Sequence, residues 1–112
     1  MRLLAIVSAA ATLAMTIPAS AQESGNATAG HAVAEMICAQ CHAVEAGRIR
    51  SPNGQAPTFE AIAMSRGMTE MGLRTALMAA HREMPNLALN GRDRDDVAAY
   101  IESLKTAPAR GK

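Results

Sequence analysis

Aromatic residues are nearly absent from this 112-residue chain: Phe59 and Tyr100 are its whole complement, and it has no Trp. Aromatic side chains usually dominate a small core, burying about 150–250 Å² each. A domain of about 90 residues already hides only about two-thirds of its unfolded surface. Ala, Met and a few Leu, Ile and Val therefore make a thin core, and a large apolar group from outside the sequence is expected to fill it. The same shortage removes the stacking platform that single-stranded nucleic acid needs.

Net charge is also scarce. Eleven basic and ten acidic residues give +1, so no basic field recruits nucleic acid. Uninterrupted apolar runs are short, and none reaches the 18 or more residues of a membrane-spanning helix. Gly, at 8, and Pro, at 5, are too few for a disordered or collagen-like chain. What remains is one small domain preceded by a targeting segment.

That segment is residues 1–21, where 15 positions are hydrophobic. Arg2 is a short positive start, Leu3 to Ile17 an apolar run, and Pro18 breaks it before Ala19-Ser20-Ala21, a small-x-small cleavage site. A signal peptide cleaved after Ala21 is expected, with Gln22 as the mature N-terminus and no membrane span in the mature form. No Cys follows the apolar run, so a lipid anchor is not indicated. Both cysteines then mature in an exported compartment, most simply a periplasm.

The mature chain reads as helical throughout. Ala29, Val33, Met36 and Ile37 recur at helical spacing within 26–41. A loop follows over 43–57, with Gly47, Pro52, Asn53, Gly54 and Pro57. Thr58 is placed to cap a helix from Phe59 to about Arg66, which Gly67 ends. Thr69 caps a third helix, striped by Leu73, Leu77 and Ala80 and running until Pro85 forbids it. Asn90 and Asp93 resemble a capping box before a last helix with Val97, Ile101 and Leu104 inward and Tyr100 alongside. Residues 106–112, with Pro108 and Gly111, are expected to be a loose tail. No period-two run and no internal repeat appears, so the expected fold is all-α. Isolated helices this short are marginal in water, which again calls for something to hold them together.

Cys38-Ala39-Gln40-Cys41-His42 carries the chemistry. C-x-x-C-H is the attachment signature of c-type haem. Thiols three residues apart on a helix share one face, where they can add to the two vinyl groups along a porphyrin edge. The adjacent His42 then falls beneath the ring, with Nε2 toward the iron. Three other readings fit less well. A disulfide would close a tiny loop and leave the rest of the domain unstapled. A thioredoxin-like pair requires a strand before the motif, where the pattern here is helical. A zinc site recruiting His31, His42 or His81 lacks the spacing of a closed four-ligand set.

The second axial ligand is expected from Met84, which precedes Pro85 on a segment that the proline keeps irregular. A thioether there raises the reduction potential. Met64 and Met68 are reserve donors; Met71 and Met78 lie inside a helical run and read as core filler. His81 could give a bis-histidine site, but both it and His31 read first as surface histidines.

These residues resemble the class I cytochrome c family, the small soluble monohaem kind, over nearly all of 26–105. Gly30 and Tyr100 look like the family's contact between first and last helices. Position 34, where an aromatic often packs in the family, is Ala. Pro57 looks like the proline whose carbonyl accepts from the ligand imidazole, a bond that raises ligand basicity, with Pro52 a rival for the role. Met84-Pro85-Asn86 resembles the methionine-ligand turn. In cytochrome c′ the motif lies near the C-terminus and no Met ligates, unlike here.

The resemblance implies the cytochrome c fold: four short helices packed around one covalently attached haem c, in a domain spanning 22–105. Its implied function is one-electron transfer between redox partner proteins by a monomer, without enzymatic chemistry. Cys38 and Cys41 would hold the haem, His42 and Met84 the iron, and Pro57 the ligand histidine. Two alternatives stay open, a bound cytochrome subunit of a dehydrogenase or oxidase, and a five-coordinate haem protein binding gas or peroxide. Arg48, Arg50, Arg66, Arg74 and Arg82 could steer acidic partners, although interleaved acidic residues favour an ordinary solvated surface.

Overall fold

A computed structural model describes residues 25–79, 84–85 and 89–107. The leader at 1–21, His81, Arg82 and the end of the tail lie outside the described residues. Those described are helical, with no strand among them, and none of their helices is long and apolar enough to cross a membrane.

Helix α1, Ala27–Val33, starts where the sequence places it. The Asn26 side chain accepts from the Ala29 amide at 3.0 Å, satisfying one of the amides a helix start leaves unpaired. From Ala34 to Cys38 the winding loosens into a π-helical turn, in which the Ala39 amide bonds the Ala34 carbonyl at 2.9 Å. The expected helix over 26–41 thus ends at Cys38, and residues 39–41 form a turn. Sequence periodicity does not report a single widened turn. Such turns recur at functional sites, and this one leads directly into the cysteine motif.

Helix α2 is Phe59–Ala63, shorter than the stretch expected to about Arg66. Thr58 caps it, accepting from Ala61 at 3.1 Å. Its exit is a pair of tight turns, Ser65 to Ile62 and Met68 to Ser65, the second containing Gly67 at φ 75. Only glycine takes that left-handed conformation at little steric cost. Helix α3, Glu70–Met78, is capped by Thr69, which accepts from Gly72 at 3.0 Å. It stops ahead of its expected limit at Pro85, because Ala79 is already extended at φ −84, ψ 140.

Helix α4, Gly91–Ser103, is the longest. Asn90 accepts from the Asp93 amide at 2.9 Å, while its side-chain amide donates to the Asp93 carboxylate at 2.8 Å. That second bond replaces the return to the cap backbone that a capping box would make. Val97, Ile101, Leu104 and Tyr100 are all buried, as their spacing requires. They meet Ala34, Phe59, Ala63 and Leu73 in one cluster.

Helices α1 and α4 touch backbone to backbone. A Cβ on Gly30 would collide with the carbonyl of Asp96, and one on Gly25 with the carbonyl of Asp95. Ala34 is fully buried beside this crossing, where a small side chain lets the helices stay close. Buried Asp96 then reaches back across it: its Oδ1 accepts from the Asn26 amide at 2.7 Å. Arg74 joins α3 to α4, contacting Glu70 at 2.8 Å and Asp95 at 3.0 Å.

Candidate haem site

The end of the π-helical turn delivers the first cysteine. Cys38 belongs to the hydrophobic cluster and is 5% exposed, and burial pushes its thiol pKa up. Cys41 is half-buried, and both thiols are free. The turn between them is held by amides of Cys41 and His42 on the Cys38 carbonyl, at 3.1 and 2.9 Å. This places His42 immediately beyond the pair.

Three bonds pin the following loop to the motif. The Asn53 amide donates to the Cys41 carbonyl at 3.1 Å, the Ala43 amide to Ser51 Oγ at 3.0 Å, and the Phe59 amide to the Ala43 carbonyl at 2.9 Å. The loop is thereby folded back so that the Pro57 carbonyl meets His42 Nδ1 at 2.7 Å. A carbonyl can only accept, so Nδ1 carries the proton and the neutral ring keeps its lone pair at Nε2. Phe59 lies beside the imidazole, with ring centroids 5.5 Å apart. Pro52, the rival position, is exposed in the same loop.

This donor set suits a haem c. Two reduced thiols three residues apart are what thioether formation consumes, because each S–H adds across a vinyl group. An imidazole with Nδ1 committed and Nε2 free is a competent iron ligand. The cluster around Cys38 includes Ala34, Ala63 and Ala98, and Val97 is the largest side chain buried to below 2% exposure among the described residues. A porphyrin supplies the large apolar surface that such a cluster lacks.

Met84 is half-buried in a bend directly before exposed Pro85, beyond α3. The other methionines differ from it in place. Met71 and Met78 sit within α3 but, about two-thirds exposed, are not the core filler expected of them; Met64 closes α2 equally exposed, whereas Met68 packs on the core. Of the arginines, Arg48, Arg50 and Arg66 are exposed, while Arg74 is engaged between α3 and α4.

His31 is not a bare surface histidine. Its ring lies 4.8 Å from that of Tyr100, and its Nε2 is 2.5 Å from Glu45. Helical spacing links His31 to Glu35 in the sequence, but Glu45 arrives from the loop after the cysteine motif, which no local pattern foretells. Neither cysteine belongs to this group. Tyr100 also donates from its hydroxyl to the Val44 carbonyl at 2.7 Å, tying α4 to that loop.

A family profile for cytochrome c matches residues 27–105. The chain is 30% identical over 95 residues to cytochrome c-552 of Bradyrhizobium diazoefficiens, covering 83% of this chain and 90% of that protein. No solved structure matches. The chain belongs to the cytochrome c family, and its cofactor is a covalently bound haem c.

Proposed function

We propose that this chain is exported to the periplasm and works there as a one-electron carrier whose iron is ligated by His42 and Met84. Family membership makes it a c-type cytochrome that acts with redox partners; compartment, ligands and monomeric state are the further reading. Export rests on the leader, read as a signal peptide cleaved after Ala21, which leaves a domain over 22–105 and a tail over 106–112. Haem attachment outside the cytoplasm agrees with it.

When bound, the haem supplies a single electron at a time. The protein's part is to hold the ligands. Cys38 and Cys41 would fix the porphyrin edge, and the Pro57 carbonyl would orient His42 and raise its basicity. Met84, kept on irregular backbone by Pro85, would supply a soft thioether that favours ferrous iron. With His42 and Met84 both holding the iron, no substrate would reach it, so the chain is read as a carrier without enzymatic chemistry.

The observation that carries this reading is the 2.7 Å contact from His42 Nδ1 to Pro57, which leaves Nε2 as the free ligating atom. The test is the ferric absorption spectrum. Met84→Ala is expected to lose the sulfur-to-iron charge-transfer band and to open the ferrous protein to carbon monoxide. An unchanged spectrum would refute Met84 as ligand.

A further inference from the structure

We propose that His31, Glu35 and Glu45 form a surface site for a single divalent transition ion of the zinc type, separate from the haem ligands. The three side chains come from α1, the π-helical turn and the loop beyond His42, and their ligand atoms all lie within 4.8 Å of one another. His31 Nε2 is 2.5 Å from Glu45 Oε1 and 3.8 Å from Glu35 Oε1. Each side chain stays accessible, at 35% exposure for His31, 57% for Glu35 and 46% for Glu45.

One imidazole nitrogen with two carboxylate oxygens is a borderline donor set, suited to Zn²⁺ and its neighbours and poor for Ca²⁺ or Mg²⁺. Metal–ligand bonds of about 2.0–2.2 Å place two tetrahedral ligands about 3.3 Å apart. The two spacings from His31 Nε2 bracket that value, and no pair of the three ligand atoms is more than 4.8 Å apart. Three protein ligands leave a fourth position for water.

Charge at the site points the same way. Among the described residues, neither Glu35 nor Glu45 is salt-bridged to a Lys or Arg, and His31 is their shared partner. The Tyr100 phenol beside them titrates at about 12, raised by burial and then by Glu45 and Glu35. Two carboxylates thus set up a negative field that an ion would offset. His31, Glu45 and Tyr100 line a surface groove together with Arg48, which brings a cationic side chain to it.

The bonding change is simple. The ion takes the Nε2 lone pair, so in a neutral ring the proton between Nε2 and Glu45 moves to Nδ1, and from an imidazolium the second proton leaves to solvent. Binding therefore weakens as pH falls, with His31, Glu35, Glu45, Tyr100 and Arg48 the groups facing the site.

The test is Zn²⁺ titration of the holo-protein by calorimetry, with chloride as the counterion. One equivalent is expected to bind. His31→Ala and Glu35→Gln should each weaken it at least about tenfold, as much as losing a supporting partner typically costs, with the haem spectrum unchanged. Exposed Glu35 also guards against a folding defect in the His31 variant. His81→Ala should leave binding intact. Absence of a stoichiometric ion in the wild type would overturn the proposal, as would wild-type affinity in either the Glu35 or the His31 variant.

Discussion

Gly30 of α1 lies against the backbone of Asp96 in α4 so closely that no side chain fits between them. Because the colliding atoms are main-chain, relief requires the helices to separate, and a rotamer change cannot provide it. Gly30→Ala is expected to destabilise the holo-protein by about 1–3 kcal/mol, toward the upper end. Denaturant unfolding measures this. Gly54→Ala, where a Cβ meets nothing, is the control and should stay within about 0.5 kcal/mol.

The same crossing relies on Asp96, whose carboxylate accepts from the Asn26 amide at 2.7 Å while only 7% exposed. Asp96→Ala leaves that amide without its long-range partner and is expected to cost about 1.5–3 kcal/mol. Asp96→Asn retains an acceptor oxygen and should lose less. Equal losses in the two variants would show that packing, not the hydrogen bond, is what Asp96 contributes.

Tyr100 makes stability depend on alkaline pH. Its phenol is held protonated to about 12 by burial and by the nearby carboxylates, against about 10 in the unfolded chain. Between those values the unfolded state has lost a proton that the native state keeps, so stability falls as pH rises through that window. Tyr100→Phe removes this slope. It also removes the bond to the Val44 carbonyl, lowering stability at neutral pH by about 0.5–1.5 kcal/mol. Unfolding curves of both proteins from pH 9 to 12 give the comparison.

Much of the fold was legible in the sequence, and the reasons are local. Asn26, Thr58, Thr69 and Asn90 are each a cap where a cap was expected, because a side-chain oxygen beside a helix start is a local signal. The buried stripe of α4 followed from spacing alone. The π-helical turn at 34–38 and the early ends of α2 and α3 did not, since they depend on one hydrogen bond reaching a residue further back, on tight turns after Ala63 and on an extended Ala79, none of which side-chain spacing reports. At the site, the cysteine motif was plain, and the carbonyl that meets His42 had two candidates until the loop's folding brought Pro57 to it. The Glu45 contact to His31 was hidden, because it joins residues 14 apart through that loop.

Without haem the chain should be poorly folded. Its cluster has two aromatics and otherwise small or modest side chains, and most of its helices are below the length that is stable alone in water. A Cys38→Ala, Cys41→Ala variant purified without haem is expected to show reduced helicity and no cooperative thermal transition. A sharp transition in that apo-protein would mean the side chains alone make a sufficient core.

Everything proposed for the site requires that Cys38 and Cys41 hold the haem next to His42. Mass spectrometry of the exported protein, denatured and digested, tests it most directly. The fragment spanning Cys38 to His42 should carry the mass of one haem, with no thiol left to alkylate. A fragment with two alkylatable thiols, and haem lost on denaturation, would contradict it.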